Sequence, residues 1–461
     1  MTNLLAIIDR AYQTYPDNAD AAAAQVLLES AGPGSELLQA CAVCFAAVSL
    51  WDHQGPELLR YALNWNGSSE AAWERIRETG LMAADGERWL TRTGARRVFR
   101  DVLRKNPERY EQVHGWLGDA SEQDLAVAWE EAGPRSLGYR DADIRHAYHL
   151  TPRDGEKGGD EYRRVYVQGV KEGFLSDQRR VESLALEQRD ELLTHEADLA
   201  FYQGHAAYIS GNRPEARKAF LRVVQGPPTI LLVIAAHLLG RMADGLTEAE
   251  HWYALSLSAA KQEDDLTLRS RSRCIVLVSW GNTLFTFRRY GEADGKFSEA
   301  TEADPRNAPA WQAWALLEKE QGKIETARKY FQRATEADPR HAPAWQAWAV
   351  MEKEQGEIAT ARKYFQRATE ADPRDAPAWQ AWAVMEKEQG RLQEAVQLLR
   401  RSAEVEPDPE DRAWTYCNIA RIQKRLRDFA GAEASYLEAL RHHPESSFAQ
   451  RELEDVRKRM G

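Results

Sequence analysis

Residues 342–375 read APAWQAWAVMEKEQGEIATARKYFQRATEADPRD. Residues 308–341 carry nearly the same text, APAWQAWALLEKEQGKIETARKYFQRATEADPRH, and 376–390 open a third copy, APAWQAWAVMEKEQG. Starts at 308, 342 and 376 set a period of 34 residues. A fixed period in this range marks a solenoid of helical pairs, because one unit cannot bury its apolar face alone and neighbours stack to bury it. In the central copy Ala349 and Ala361 are the small positions that a close helix crossing needs, and Trp345, Trp348, Tyr364 and Phe365 are the large ones. Trp345 and Trp348 stand three apart and share one helix face. Gly356 permits the turn between the two helices, and Pro373 ends the second.

Outward from these copies the spacing loosens. Gly281, Ala293, Phe297, Ala300 and Pro305 mark a clear unit, Gly204, Ala216, Phe220 and Pro228 a loose one, and Ala249 with Tyr253 a weaker one. Beyond the third copy, Ile419, Ala432, Tyr436, Ala439 and Pro444 mark another unit, and the polar stretch 448–460 suits a solvating cap. Seven units are expected: two loose, one clear, three near-identical and one terminal.

The skeleton Trp345, Ala349, Ala361, Phe365, Ala368, Pro373 resembles the tetratricopeptide (TPR) repeat, while Trp348 and Glu352 stand where that repeat usually has Leu and Tyr. The pattern W-x-x-W-A-x-x-E, Gly, A-R-x-x-F-x-R-A is similar to the HAT (half-a-TPR) repeats of RNA-processing scaffolds. That second resemblance implies Glu352 with Arg362, and Glu318 with Arg328, as pairs within one repeat. Both resemblances imply a binding scaffold. The basic clamp for a peptide carboxylate found in some TPR proteins is not matched, since the corresponding helix surface carries Gln346, Lys353 and Glu354. Between copies the Trp and Gly positions stay fixed while Lys323/Glu357/Arg391 change charge, which is expected either of a tuned recognition surface or of drift at solvent positions.

The first half of the chain has no such period. Leu4, Leu5, Ile7, Ile8 and Tyr12 make a helical apolar face ended by Pro16-Asp17, and a second helix over 21–28 stops at Gly32-Pro33-Gly34. Ser35 caps a helix over 37–50 that is apolar nearly all round. A short helix over 56–63 and one capped by Ser69 follow, then 81–84 and 87–90 flank Asp85-Gly86 as a hairpin, then a helix over 94–103. The stretch SSEAAWERIRETGLMAADGERWLTRTGARRVFRDVLR resembles the winged-helix segment of STAND-class signalling ATPases. DADIRHAYHL over 141–150 resembles the helix that bridges winged helix and repeats in those proteins. GEKGGD, 155–160, is expected to be a flexible loop, and 162–193 one long helix or a degenerate repeat.

Composition narrows the function classes. A 43% hydrophobic, 29% charged chain of net charge −11 is that of a folded protein with no general affinity for nucleic acid. No apolar run is long enough to span a membrane, no export signal is visible, and four cysteines fit a reducing, cytoplasmic setting. Cys41 and Cys44 form a CxxC inside an apolar helix, which reads as buried small side chains, and Cys274 and Cys417 read the same way. His146 and His149 share a helix face with only Asp141 and Asp143 near them, too little for a metal site. There is no phosphate loop, Gly158-Gly159 is followed by the acidic pair Asp160-Glu161, and no nucleophile–base spacing appears. No catalytic residue, cofactor or metal is expected.

These readings converge on an all-α protein: a right-handed TPR-like α-solenoid preceded by a small helical, winged-helix-like domain with one β-hairpin. Residues 1–120 form that domain, 121–194 a helical linker with degenerate repeats, and 195–461 the solenoid with its capping helix. The expected function is a non-enzymatic protein-interaction scaffold or sensor, and the STAND resemblance implies the ligand-sensing half of a bacterial signalling or defence system. Its partners would be a protein or peptide and a nucleotide-binding domain. The candidate binding surface comprises Gln312, Lys319, Lys323, Gln346, Lys353, Glu357, Gln380, Lys387 and Arg391. The alternative is a winged-helix DNA-binding regulator, with Arg92, Arg96, Arg97, Arg100 and Arg104 as the face toward DNA or toward a protein partner. Glu70, Glu74 and Glu78 on the preceding helix count against DNA.

Overall fold

The computed structural model describes residues 7, 10–31, 35–63 and 68–460. Leu4, Leu5 and Ile8 of the first expected helix, and Gly32-Pro33-Gly34, lie outside the described residues. The fold is all-α but for one small sheet, and the chain divides into two compact units, Met1–Ala235 and Ala236–Gly461. Among the described residues no helix is long and apolar enough to cross a membrane.

The first unit opens with α1 (Ala19–Ala31), α2 (Glu36–Phe45), β1 (Ser49–Trp51), α3 (Gln54–Leu63), α4 (Ser69–Arg77), β2 (Met82–Asp85), β3 (Arg88–Thr91) and α5 (Thr93–Leu103). Ser35 caps α2 as expected, its hydroxyl accepting from the Leu38 N–H. The helix expected over 37–50 stops at Phe45, however, and Ser49–Trp51 becomes a strand antiparallel to β3, giving the order β1-β3-β2. A short, wholly apolar run carries no period that separates buried helix from buried strand, so only pairing with β3 decides it. The hairpin turns at Gly86-Glu87 rather than Asp85-Gly86, because Asp85 still pairs with Arg88. The cap of α4 is Ser68, whose hydroxyl accepts from the Ala71 N–H, rather than Ser69. The core here joins Phe45, Leu58, Leu59, Trp73, Ile76 and Phe99, with the Phe45 and Phe99 rings edge to face at 5.0 Å.

Then come α6 (Pro107–Ala132), α7 (Leu137–Leu150), α8 (Gly155–Glu172), α9 (Leu175–Glu187), a 3-10 turn (Leu193–His195), α10 (Glu196–Ile209) and α11 (Arg213–Val223). The expected loop 155–160 is instead the first turns of α8, capped by the Asp154 carboxylate accepting from the Lys157 N–H. Its glycines serve close packing: a Cβ on Gly158 would stand 2.5 Å from the Thr151 Cα, and one on Gly159 2.4 Å from the His195 ring. Residues 162–193 hold the remainder of α8 and all of α9, broken by Gly173.

Helix α12 (Ile230–Met242) carries the chain into the second unit. There α13 (Leu246–Ala260), α14 (Leu266–Thr286), α15 (Tyr290–Ala303), α16 (Ala308–Glu320), α17 (Ile324–Ala337), α18 (Ala342–Glu354), α19 (Ile358–Ala371), α20 (Ala376–Glu388), α21 (Leu392–Val405), α22 (Pro409–Arg425) and α23 (Phe429–His442) stack as helical pairs, closed by α24 (Ser447–Met460). Ala349, Ala361 and Phe365 are fully buried, as are Ala315, Ala327 and Phe331 one unit earlier. The turns of the three copies take φ of +75°, +82° and +77° at Gly322, Gly356 and Gly390, a left-handed backbone that side chains resist. Two units make the same turn with a non-glycine residue, Arg288 (φ 59°) and Arg427 (φ 60°).

Candidate functional site

The repeated helices place the expected surface residues in two rows. Gln312, Lys319, Gln346, Lys353, Gln380 and Lys387 come from the first helix of each copy, Gln and Lys two turns apart on one face. Lys323, Glu357 and Arg391 occupy the N-caps of the second helices.

Much of this surface is engaged within the solenoid. Lys319 Nζ lies 2.8 Å from Glu354 Oε2, and Lys353 Nζ 2.8 Å from Glu388 Oε2, so each lysine ties its unit to the next. Gln312 Oε1 accepts from the His341 ring at 2.6 Å, and the Gln380 amide donates to Thr415 Oγ1 at 3.3 Å. Lys323 reaches Glu318 at 3.2 Å, and Arg391 reaches Glu386 at 3.3 Å. Two of the three charge-changing positions thus answer a buried carboxylate of their own unit. Glu357 cannot do so and stands exposed.

The ion pairs expected within one repeat form between repeats instead. Arg328 donates a fork to Glu352 of the next copy, Nε at 2.8 Å and Nη2 at 2.7 Å, and Arg362 does the same to Glu386 at 2.6 and 3.0 Å. The Trp348 and Trp382 indoles complete these cages, donating to Glu352 and Glu386 at 2.9 and 3.0 Å. Donation from Arg328 holds the Glu352 carboxyl below the usual carboxylate range. The arginine leads the second helix of its unit and leans toward the unit that follows, so spacing within one repeat misidentifies its partner. The first copy departs from this: where Arg would stand, Asp294 accepts from the Trp314 indole at 2.7 Å, and among the described residues the cation that meets Glu318 is Lys323. Burial and the neighbouring Asp294 carboxylate push the Glu318 carboxyl upward against the pull of Lys323.

Beside the cages the aromatic side chains stack from helix to helix. Trp345 and Trp348 lie at 5.9 Å and 10°, and Tyr364 packs on Trp348 at 4.1 Å. This stack edges an open groove of about 650 Å³ shared by α17, α18 and α19.

In the first unit the candidate basic face is largely internal. Arg96 and Arg100 are buried: Arg96 forks onto Glu187 at 3.0 and 2.7 Å, and Arg100 donates to the Glu187 carbonyl at 2.7 Å. The Tyr148 hydroxyl adds a bond to the same carboxylate at 2.9 Å, and Arg104 pairs with Glu191. Arg92 and Arg97 alone of the five remain exposed. These arginines therefore do not form a phosphate-facing stripe; α5 spends them on α9. On α4, Arg77 is held by Asp52 at 2.9 Å and by Glu74. A cleft of about 690 Å³ opens among α5, α9 and α10, with Arg97, Arg179 and Arg189 set against Asp101, Glu182 and Asp190.

The histidine pair is also rearranged. His149 meets His114, not His146, Nδ1 to Nδ1 at 3.0 Å, and burial holds His114 down to about 3, so one neutral ring donates to the other. Sequence periodicity gave no signal for His114. The four cysteines are buried and free, with burial lifting the Cys41 thiol to about 12. Among the described residues no group of three or more His, Cys, Asp or Glu is arranged to hold a metal ion.

Tetratricopeptide-repeat family models match residues 278–342, 318–387, 352–415 and 415–441, so this stretch carries tetratricopeptide repeats. Among solved structures, YrrB, a TPR protein with an unusual peptide-binding site, is similar at 17% identity over 44% of this chain and 97% of that one, with a TM-score of 0.31. A tetratricopeptide repeat protein from Parabacteroides merdae is similar at 16% identity over 57% of this chain and 98% of that one, TM-score 0.36. The pilF protein of Pseudomonas aeruginosa is similar at 17% over 53% and 99%, TM-score 0.35. No curated protein matches the sequence.

Proposed function

We propose that this chain is a non-enzymatic docking module whose repeat solenoid holds a protein partner. The observation that carries the reading is the division of labour in the near-identical copies. The alanine crossings are buried in all three copies and arginine–glutamate cages join the first to the second and the second to the third, while Gln346 and its equivalents are half-buried along the first helices. Stacked repeats of this kind gain extended binding surfaces from their small rotation per unit. The first unit supports a finer reading. Its order helix, strand, helix, helix, strand, strand, with the sheet arranged β1-β3-β2, supports reading it as winged-helix-like. We place the chain as the sensing half of a STAND-type regulator, in which the solenoid receives a trigger and the winged helix passes the change to a nucleotide-binding partner. The burial of Arg96 and Arg100 favours a structural role for α5 over contact with DNA.

The test is capture of partners from host lysate on the immobilised full chain, with and without nuclease, alongside Gln346→Arg. A protein retained after nuclease and lost with Gln346→Arg is the expected result. Retention that disappears with nuclease, or that ignores Gln346→Arg, overturns the reading.

A further inference from the structure

The lysine ladder that links successive units breaks at one place. Lys319 meets Glu354 and Lys353 meets Glu388, each 35 residues further on, but the residue at that distance from Lys387 is Ile422. Among the described residues no carboxylate pairs with Lys387. Arg421 and Arg425 stand beside it on α22, one helical turn apart, with Asn418 a turn before Arg421. These four side chains rim a hollow of about 170 Å³ whose floor includes Val384 and Ile422, and no acidic residue lines it. Among the described residues none of the four makes a hydrogen bond or ion pair. In a chain of net charge −11, this hollow gathers three cations with no carboxylate in its lining.

We infer that this hollow is a docking point for an extended peptide segment of the partner that carries acidic side chains at alternate positions; the inference rests on the docking function proposed above. The spacing supports that occupant. Arg421 and Arg425, four apart on a helix, have Cβ atoms about 5–6 Å apart, and alternate side chains of an extended strand lie on one side at about 6.6–6.8 Å. Two neighbouring acids can thus meet the two arginines, with Lys387 and Asn418 sharing the nearer carboxylate. Val384 and Ile422 line the same hollow as the cationic side chains. The half-apolar floor suits a side chain with a stem better than a bare phosphate.

The experiment uses the full chain and fluorescein-labelled, C-terminally amidated peptides of about 12 residues, a length suited to one extended recognition segment. One alternates Glu with Ser; a second has Gln for every Glu; a third is the Gln peptide with a free terminal carboxylate; a single-stranded DNA of the same charge is the fourth probe. Anisotropy is expected to show the Glu peptide bound and the Gln peptide not. Arg421→Glu with Arg425→Glu is expected to weaken the Glu peptide at least about tenfold, the scale of losing two desolvated charge contacts. The charge-matched control Arg333→Glu with Arg367→Glu, at exposed sites on α17 and α19, should leave it unchanged. Melting curves of both variants establish that they remain folded. Equal binding of the Gln peptide overturns the inference. So does binding of the free-carboxylate peptide or the DNA with the same dependence on Arg421 and Arg425, or equal loss in the control. If a protein partner is captured under nuclease yet ignores Arg421→Glu, the docking function stands and only this point of contact falls.

Discussion

Replacing Asp294 by Arg tests whether the cage between units is what fixes one repeat on the next. In the later copies the buried Glu352 and Glu386 each receive an arginine fork and an indole bond. In the first copy Glu318 faces Asp294, and among the described residues its cationic partner is Lys323 at 3.2 Å. Asp294→Arg should rebuild the fork. The arginine side chain at the equivalent position is 32% exposed over a carboxylate that is 3% exposed, so the new pair is partly screened and contributes about 0.5–1 kcal/mol. The indole bond to Asp294 is lost, but Trp314 can turn to Glu318 as Trp348 does to Glu352, so that loss is mostly recovered. Removing the like-charged neighbour adds a similar increment, for a net gain of about 1 kcal/mol. The sign with pH follows from the two carboxyls. In the parent, Glu318 is held upward, so the folded state suffers from its charge above the folded pKa and is relieved as pH falls through it. In the variant, Glu318 should behave as Glu352 does, held downward and stabilising at neutral pH, with that contribution lost as pH falls through its folded pKa. The gain is therefore largest near neutrality and shrinks through the carboxylate range, around pH 4. Urea melts across that range measure it, and adding Glu318→Gln should abolish it. A variant no more stable than the parent at neutral pH, or a gain independent of pH, would refute the cage as the element that fixes the units.

Three further outcomes are expected. Arg288→Gly places glycine in a left-handed turn where the three copies already have it, and should raise stability by about 1 kcal/mol in a urea melt. Gly281→Ala puts a Cβ 2.6 Å from the Phe297 ring and should cost about 1–3 kcal/mol by the same measurement, although alanine is buried at the equivalent positions 315 and 349. Glu187→Gln removes the charge that Arg96 and Arg100 share inside the first unit and should cost about 3–5 kcal/mol, seen as early melting of that unit by limited proteolysis.

The misreadings share a cause. Residues 37–50 and 155–160 were ambiguous locally: an apolar run fits helix or strand, and glycines fit a loop or a tight crossing. Pairing of Leu50 with Trp89 settled the first, and contact of Gly159 with His195 the second. The basic run on α5 looked like a surface because spacing along one helix shows which side chains align but not what they face. Glu187, which takes the charge of Arg96, is 91 residues away in the chain.

What the sequence determined alone was the repeat: the period, the alanine crossings, the paired tryptophans and the glycine turns all follow from local pattern, because each unit is short and meets only its neighbours. What the tertiary structure alone decided was which charges are spent. Arg328 answers the next unit's Glu352, Lys353 answers Glu388, and Arg96 answers Glu187, whereas Lys387, Arg421 and Arg425 meet no carboxylate among the described residues. An ion pair depends on distance through space and on burial, and neither is written in the order of residues along the chain.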